Sequence, residues 1–318
     1  MNVTPSLQNL SLAVLFGGNS GEREVSIASA KAVLSALREA GFSPREIDTG
    51  EPSWWSQPAG VELVFNILHG RDGEDGTIRG CLEALNIVST GSGVLGSALA
   101  MDKVRSKYLW QRLGLPTAPF AVLTNEDELT GVIDQLGPVF VKPACEGSSL
   151  GMMRADTQEQ LAQAYTRASE HDDVVLAEAL IDGPEYTVAI LGDRALPVIR
   201  IEPANAFYDY EAKYAVDTTL YHIPSGLNAD EEKQVSSLAL RAFHSLGCSV
   251  WGRVDLMRNS DGEFQLLEVN TIPGMTDHSL VPKAAMAAQI SMPALVEEIL
   301  RLSVQASLSQ KAIGGEES

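Results

Sequence analysis

Apolar residues fall in short runs along the first third of the chain. Leu12 to Phe16 (LAVLF) and Val61 to Leu68 (VELVFNIL) read as buried strands. Between them, Gly17-Gly18-Asn19-Ser20-Gly21 leads into EREVSIASAKAVLSALREAGF, whose apolar spacing is helical up to Gly41. A strand, a glycine loop and a helix in that order predict a parallel α/β start. The second strand runs into a glycine-rich acidic loop, HGRDGEDG, followed by a helical stretch, TIRGCLEALNI. Val88 and the GSGVLGS run after it read as a further turn, and this first unit is expected to end near residue 102.

Asp102 to Gly114 (DKVRSKYLWQRLG) is a basic amphipathic helix with Lys103 and Lys107 one turn apart on one side, an arrangement that is usually solvated. Pro116 and Pro119 then break the chain. Gly137 to Pro143 (GPVFVKP) reads as a strand, as does Val174 to Ala179 (VVLAEA). YTVAIL and LPVIRI follow as antiparallel neighbours, so the middle of the chain is α+β. Ala229 to Leu246 is an amphipathic helix stopped by Gly247, and Pro282 to Leu302 is a final helical region rich in alanine and leucine. Between them, Trp251 to Asn270 alternates like two strands around Asp261-Gly262, a strong hairpin signal. A two-residue turn there puts Asp255 opposite Glu268 and Arg253 opposite Asn270, all on one sheet face. Such a face is either solvated or gathers a hard cation that takes carboxylate and carbonyl oxygens.

Composition narrows the functional classes. The chain has 318 residues, with 23 basic against 42 acidic side chains for a net charge of −19. That balance argues against a nucleic-acid or anionic-membrane surface, so an anionic substrate must be held by local cations. The three cysteines (Cys81, Cys145, Cys248) show no CxxC spacing, which fits a reducing compartment without a disulfide frame. The first ten residues lack the pattern of a secretion signal, and no apolar run is long enough for a membrane span. A cytoplasmic protein is expected.

Four places carry candidate chemistry. The GGxxG loop is not the GxGxxG dinucleotide fingerprint, and no acidic residue closes an obvious second strand, so a nicotinamide site is disfavoured. Glu22 sits at a helix start, where an acid complements the helix dipole. His69 sits at a strand end, where open α/β sheets collect ligands; its plain reading is a loop histidine bonded to backbone. Lys142 ends a strand ahead of ACEGSSLGM, a Gly/Ser-rich loop able to cradle phosphate, though not a Walker A loop. The tyrosine-rich run FYDYEAKYAVDTTLYHIPSGL has no clear period and reads as an ordered lid.

Taken in order, LFGGNSGEREVS, LHGRDGEDGT, MDKVRSK, VKPACEGSSLGM, FYDYEAKY, GRVDLM and LEVNTIPGMTDHSL cover the chain from about residue 12 to 305. With these motifs the chain resembles the D-alanine–D-alanine ligases of the ATP-grasp superfamily. The resemblance implies an α/β N-terminal Rossmann-like (pre-ATP-grasp) domain over 1–102. An α+β ATP-grasp fold follows, with a central lid domain over 103–183 and a C-terminal domain over 184–318 that carries a lid loop at 205–226. It also implies ATP as co-substrate, two Mg²⁺ ions (or Mn²⁺ in their place) and a homodimer. The activity implied is ligation of two D-alanines through a D-alanyl phosphate, for peptidoglycan precursors.

The same resemblance assigns roles by matching position. Lys103 and Lys142 contact phosphate. Glu178 and Glu185 are the adenine- and ribose-side acids, with the backbone of Ala179 to Ile181 on the adenine edge. Asp255, Glu268 and Asn270 hold metal, and Arg253 steadies the transferring phosphoryl group and the later oxyanion. Glu22 holds the first ammonium, with Ser148 and Tyr214 bonded to it and His69 nearby. Lys213, Tyr210, Gly274, Ser279 and Leu280 surround the second amino acid. Gly21 stands where alanine is more usual, and Cys145 where a polar residue is common; Cys145 is either a modifiable thiol or a small space-filler. D-lactate or D-serine as second substrate, another ATP-grasp carboxylate–amine ligase, and a non-catalytic nucleotide-binding regulator are the rivals. The EAKY run ending at Tyr214 favours D-alanine.

Overall fold

The computed structural model describes residues 7–147, 151–203 and 219–314. Three sheets follow one another along the chain. The first is a parallel sheet in the order β2-β1-β3-β4, from β1 (Leu12–Phe16), β2 (Arg45–Asp48), β3 (Leu63–Asn66) and β4 (Val88–Ser89). All four residues of β3 are buried, as a parallel strand covered on both faces requires. Helices α1 (Arg23–Glu39), α2 (Thr77–Ala84) and α3 (Val94–Met101) complete this part. Two features here differ from the sequence expectation. The run read as a turn at GSGVLGS folds into α3, because VLGSALAM is apolar enough to bury Gly96, Ser97 and Ala100. β2 was not legible, since only Ile47 of its four residues is buried and the strand lies at a sheet edge.

The second sheet is antiparallel, β5-β8-β6-β7, from β5 (Phe120–Leu123), β6 (Val139–Pro143), β7 (Met153–Ala155) and β8 (Val175–Ala179). Helices α5 (Val132–Leu136) and α6 (Gln158–Ser169) lie on it and share one core with Val139, Val141, Leu161 and Val175. Before it, α4 (Lys103–Arg112) is capped by Asp102, whose side chain accepts from the Arg105 N–H at 2.8 Å.

The third sheet runs β12-β11-β9-β13-β14, from β9 (Glu185–Leu191), β10 (Arg194–Ala195, paired to β9), β11 (Ile199–Glu202), β12 (Leu220–His222), β13 (Trp251–Arg258) and β14 (Phe264–Asn270). One face packs on α7 (Ala229–Ser245), which starts with a reciprocal capping box between Asn228 and Glu231. The other face joins α8 (Leu280–Ala287), α9 (Met292–Gly314) and α1 in a single core through Trp251, Leu295, Ile299 and Val33. That shared core fixes the parallel sheet against the third sheet.

The hairpin confirms the expected pairing at the site and corrects the turn. Asp255 lies opposite Glu268 and Arg253 opposite Asn270, but from Leu256 onward the register shifts by one, to Leu256 with Leu266 and Arg258 with Phe264. The loop has three residues, Ser260 to Gly262. Asn259 accepts from Gly262 N–H at 3.0 Å and donates to Glu263 O at 2.9 Å, and Gly262 takes φ +85°. A bulge at Leu267 absorbs the odd residue. It keeps Val254, Leu256, Leu266 and Val269 in the core while the four polar side chains stay on the other face. Without the bulge, Glu268 would fall opposite Val254.

Candidate active site

One half of the candidate site is built around one buried carboxylate. Glu178, at the end of β8, is 2% exposed and is held by two ammonium groups, Lys142 at 2.8 Å and Lys107. Burial opposes the Glu178 charge, yet Lys107 and Lys142 hold it below the usual carboxylate range. Burial also works against Lys142, but Glu178, with Glu268 and Glu185 behind it, holds that ammonium above its ordinary value. Lys107 was expected to be solvated and is instead fully buried, with Thr117 Oγ1 at 2.5 Å and Leu266 O at 3.3 Å as further acceptors. Burial pulls its ammonium below the ordinary lysine value against the opposing pull of Glu178. Its position one turn after Lys103 was the available signal; which side of α4 faces inward was not readable.

Lys103 connects this cluster to the acid face of the hairpin. Its ammonium donates to Glu146 O at 2.7 Å and lies 3.4 Å from Glu268 Oε2. Ala179 and Leu180 donate their N–H groups to Pro119 and Pro138 carbonyls at 2.8 Å each, so any adenine edge must meet the remaining groups up to Ile181. Glu185 opens β9, half-buried, opposite Met257.

On the hairpin face Asp255 is 5% exposed and is oriented by four donors. Arg253 Nε and Thr187 Oγ1 reach its Oδ1 at 2.8 and 2.6 Å, while an Arg253 Nη and Asn270 Nδ2 reach Oδ2 at 2.7 and 3.0 Å. Thr187 was missed by sequence reasoning because the register of β9 on β13, which places it opposite Asp255, is a tertiary fact. Two carboxylates and an amide, with no imidazole or thiolate among them, fit a hard divalent cation. Among the described residues, no cluster of three or more His, Cys, Asp or Glu side chains offers a competing metal site.

The other half of the candidate site joins three loops. Glu22 at the start of α1 is 7% exposed, and its carboxylate lies between Gly70 and Gly147. A Cβ added at either glycine would come within 2.7 or 2.9 Å of Glu22 Oε2, so both loops close on it only without side chains. Glu74, not expected from the sequence, accepts from Gly70 N–H at 2.8 Å. As a residue it is half-buried, but burial of the carboxyl and the neighbouring Glu22 push it up to about 8. His69 is buried, and its Nδ1 faces Ile67 O at 2.9 Å. A carbonyl can only accept, so Nδ1 carries the proton and Nε2 is a bare acceptor. That Nε2 has no hydrogen-bond partner among the described residues and lies near Gly274, at whose Cβ position Ser279 Oγ would also meet it. Burial, with Arg253 nearby, lowers His69 to about 4, so it is neutral at physiological pH.

Ser279 caps the approach to α8 and its Oγ bonds Thr276 N–H at 3.0 Å and Thr276 Oγ1 at 2.9 Å. Leu280 opens α8 with its side chain in the core. Ser148, Tyr210, Lys213 and Tyr214, with most of the expected lid at 205–226, lie outside the described residues. The Cys145 thiol is pushed up to about 12 by burial, Asp102 and Asp172, which disfavours the modifiable-thiol reading. β2 does end in an acid, Asp48, but Arg23 holds it bidentately at 2.8 and 2.6 Å, so it is engaged in the fold rather than available for a ribose.

Known proteins share this arrangement. Residues 109–301 match the family model for the D-ala D-ala ligase C-terminus. The D-alanine–D-alanine ligase of Bacillus anthracis is 35% identical with a TM-score of 0.84, over 95% of this chain and 99% of that one. A D-alanine–D-alanine ligase from Bacillus anthracis complexed with ATP aligns at 32% identity and a TM-score of 0.83, again over 95% and 99%. The D-Ala:D-Ser ligase VanG of Enterococcus faecalis is 31% identical with a TM-score of 0.81, over 93% of this chain and all of that one. The protein is thus an ATP-dependent ligase with an ATP-grasp fold, and the chain belongs to the D-alanine–D-alanine ligase family.

Proposed function

We propose that the protein joins two D-alanines to D-alanyl-D-alanine at the expense of ATP, through a D-alanyl phosphate. The observation that carries this reading is a lysine-rich cluster and, apart from it, a pair of neighbouring carboxyl groups. Lys103, Lys107 and Lys142 outnumber Glu178 and Glu268 in the first; in the second, Glu22 stands beside Glu74, whose carboxyl burial and Glu22 push up to about 8. The first suits the phosphates of ATP, the second an amino acid's ammonium.

A carboxylate does not acylate an amine, because oxide is too poor a leaving group. In the proposed reaction, the carboxylate of the first D-alanine takes the γ-phosphoryl group, and ADP leaves. The neutral amine of the second D-alanine then attacks the acyl carbon, inorganic phosphate departs with the C–O bond electrons, and the nitrogen loses its proton. Glu22 pairs with the first ammonium, and His69 Nε2 accepts one of its hydrogens. Lys142 and Lys103 orient the phosphates, and Arg253 faces the charge that develops in transfer and at the tetrahedral oxyanion. Asp255, Glu268 and Asn270 would hold Mg²⁺, which supplies Lewis-acid charge neutralisation on the phosphates. Tyr210, Lys213 and Tyr214 would cover the site against water, with Ser148 and Tyr214 completing the Glu22 set.

The domain limits at 102 and 183, a cytoplasmic place in peptidoglycan precursor synthesis and a homodimer belong to the same proposal. D-serine is the competing second substrate, because VanG is a D-Ala:D-Ser ligase; the EAKY run favours D-alanine. Heavy-oxygen label in the D-alanine carboxylate tests the intermediate. Label recovered in inorganic phosphate is expected; phosphate free of label would overturn the acyl-phosphate step.

A further inference from the structure

We infer that Lys107 is a positioning residue of the nucleotide site: it keeps Glu178 paired so that Lys142 is free to turn to phosphate. This inference rests on the ATP-binding reading above. Two lysines share one carboxylate here, but their surroundings differ. Lys107 is fully buried and has three acceptors, Glu178 Oε1, Thr117 Oγ1 at 2.5 Å and Leu266 O at 3.3 Å, one for each of its hydrogens. Thr117 is itself tied to Leu266 O at 2.9 Å, so this corner is a closed network. Lys142 sits at the strand end before the Gly/Ser loop, and Glu178 Oε2 at 2.8 Å is its hydrogen-bond partner among the described residues.

The two ammoniums therefore have different freedom. Moving Lys107 would break three buried hydrogen bonds, whereas moving Lys142 breaks one and leaves Glu178 still paired. The trio of two ammoniums and one carboxylate carries a surplus positive charge in a site shielded from water, and that surplus falls to the less constrained lysine. If Lys107 were neutral, Lys142 would be the only counter-ion of a buried carboxylate. Its release to a phosphate would then strand that charge. Lys107 acts on ATP through Lys142, without itself touching the nucleotide.

The test uses the full-length enzyme with Mg²⁺, ATP and D-alanine. In Lys107→Met the KM for ATP is expected to rise about tenfold or more, the equivalent of about 1.4 kcal/mol, while the KM for D-alanine changes less than about twofold. A packing role alone would lower the melting temperature and move both KM values little. The second arm is a double-mutant cycle with Glu178→Gln, which removes the charge that retains Lys142 and by itself sets the cost of losing the adenine-side acid. In the Glu178→Gln background, Lys107→Met should cost several-fold less ATP affinity than it costs in the wild type, and simple additivity of the two changes would overturn the inference. If Lys107→Met does not fold, Thr117→Val loosens the same ammonium without removing it. A few-fold rise in the ATP KM is then expected, and an unchanged value counts against the role. Wild-type enzyme that binds no ATP would instead refute the functional reading itself; wild-type binding with an unaltered Lys107→Met refutes only the part played by Lys107.

Discussion

The two sides of the crevice solve the same problem in opposite ways. On the nucleotide side every buried charge has a built-in partner: Glu178 has Lys107 and Lys142, and Lys103 has Glu268. On the amino-acid side two carboxyl groups are brought together, Glu74 beside Glu22, and His69 is buried neutral with its Nε2 lacking a hydrogen-bond partner among the described residues. The first arrangement is self-sufficient and retains a small positive surplus. The second is strained by repulsion and desolvation that an arriving ammonium would relieve. The polarity of the ligand proposed for each side thus follows from which groups the fold gathers there: ammonium groups on one side, carboxyl groups on the other.

The largest expected effect comes from breaking the balanced side. Glu178→Leu leaves two lysines without their carboxylate in a dry site and should cost about 3–5 kcal/mol of stability, read as a shift of the urea unfolding midpoint. A loss below about 1 kcal/mol would mean the cluster is wetter than its burial indicates. On the other side, Glu22→Gln should weaken use of the first D-alanine by about ten- to hundredfold while the KM for ATP stays within about twofold. Equal losses for both substrates would erase the distinction between the two sides.

A smaller effect concerns pH. His69 lies near 4 in the folded protein, below its ordinary 6.5. Its contribution is therefore present above pH 6.5 and is lost as the pH falls toward 4, because the unfolded chain takes up the proton first. The loss amounts to at most about 3 kcal/mol. His69→Gln should flatten that limb of the stability–pH curve. A variant that loses stability on acidification as steeply as wild type would show that His69 is not held neutral.

Much of this was legible in the sequence, and the exceptions share one cause. The pairing of Asp255 with Glu268 followed from alternation and a turn signal, even though the true loop is one residue longer and a bulge at Leu267 restores the register. Lys142 and Glu178 stood at strand ends, where position hints at ligand contact, whereas Lys103 and Glu22 were singled out only through the family resemblance. Lys107, Thr187 and Glu74 were not legible as site residues, because their importance depends on how one element lies against another. Lys107 needs the inward side of α4, Thr187 the register of β9 on β13, and Glu74 the closure of the Gly70 loop over Glu22. β2 escaped notice because an edge strand with one buried residue leaves no alternating pattern.

The most direct measurement is identification of the product by mass after incubation with ATP, Mg²⁺ and D-alanine. D-alanyl-D-alanine formed in step with ADP and phosphate, and dependent on D-alanine, is the predicted result. ATP turnover that ignores D-alanine, or no dipeptide at all, would contradict the account.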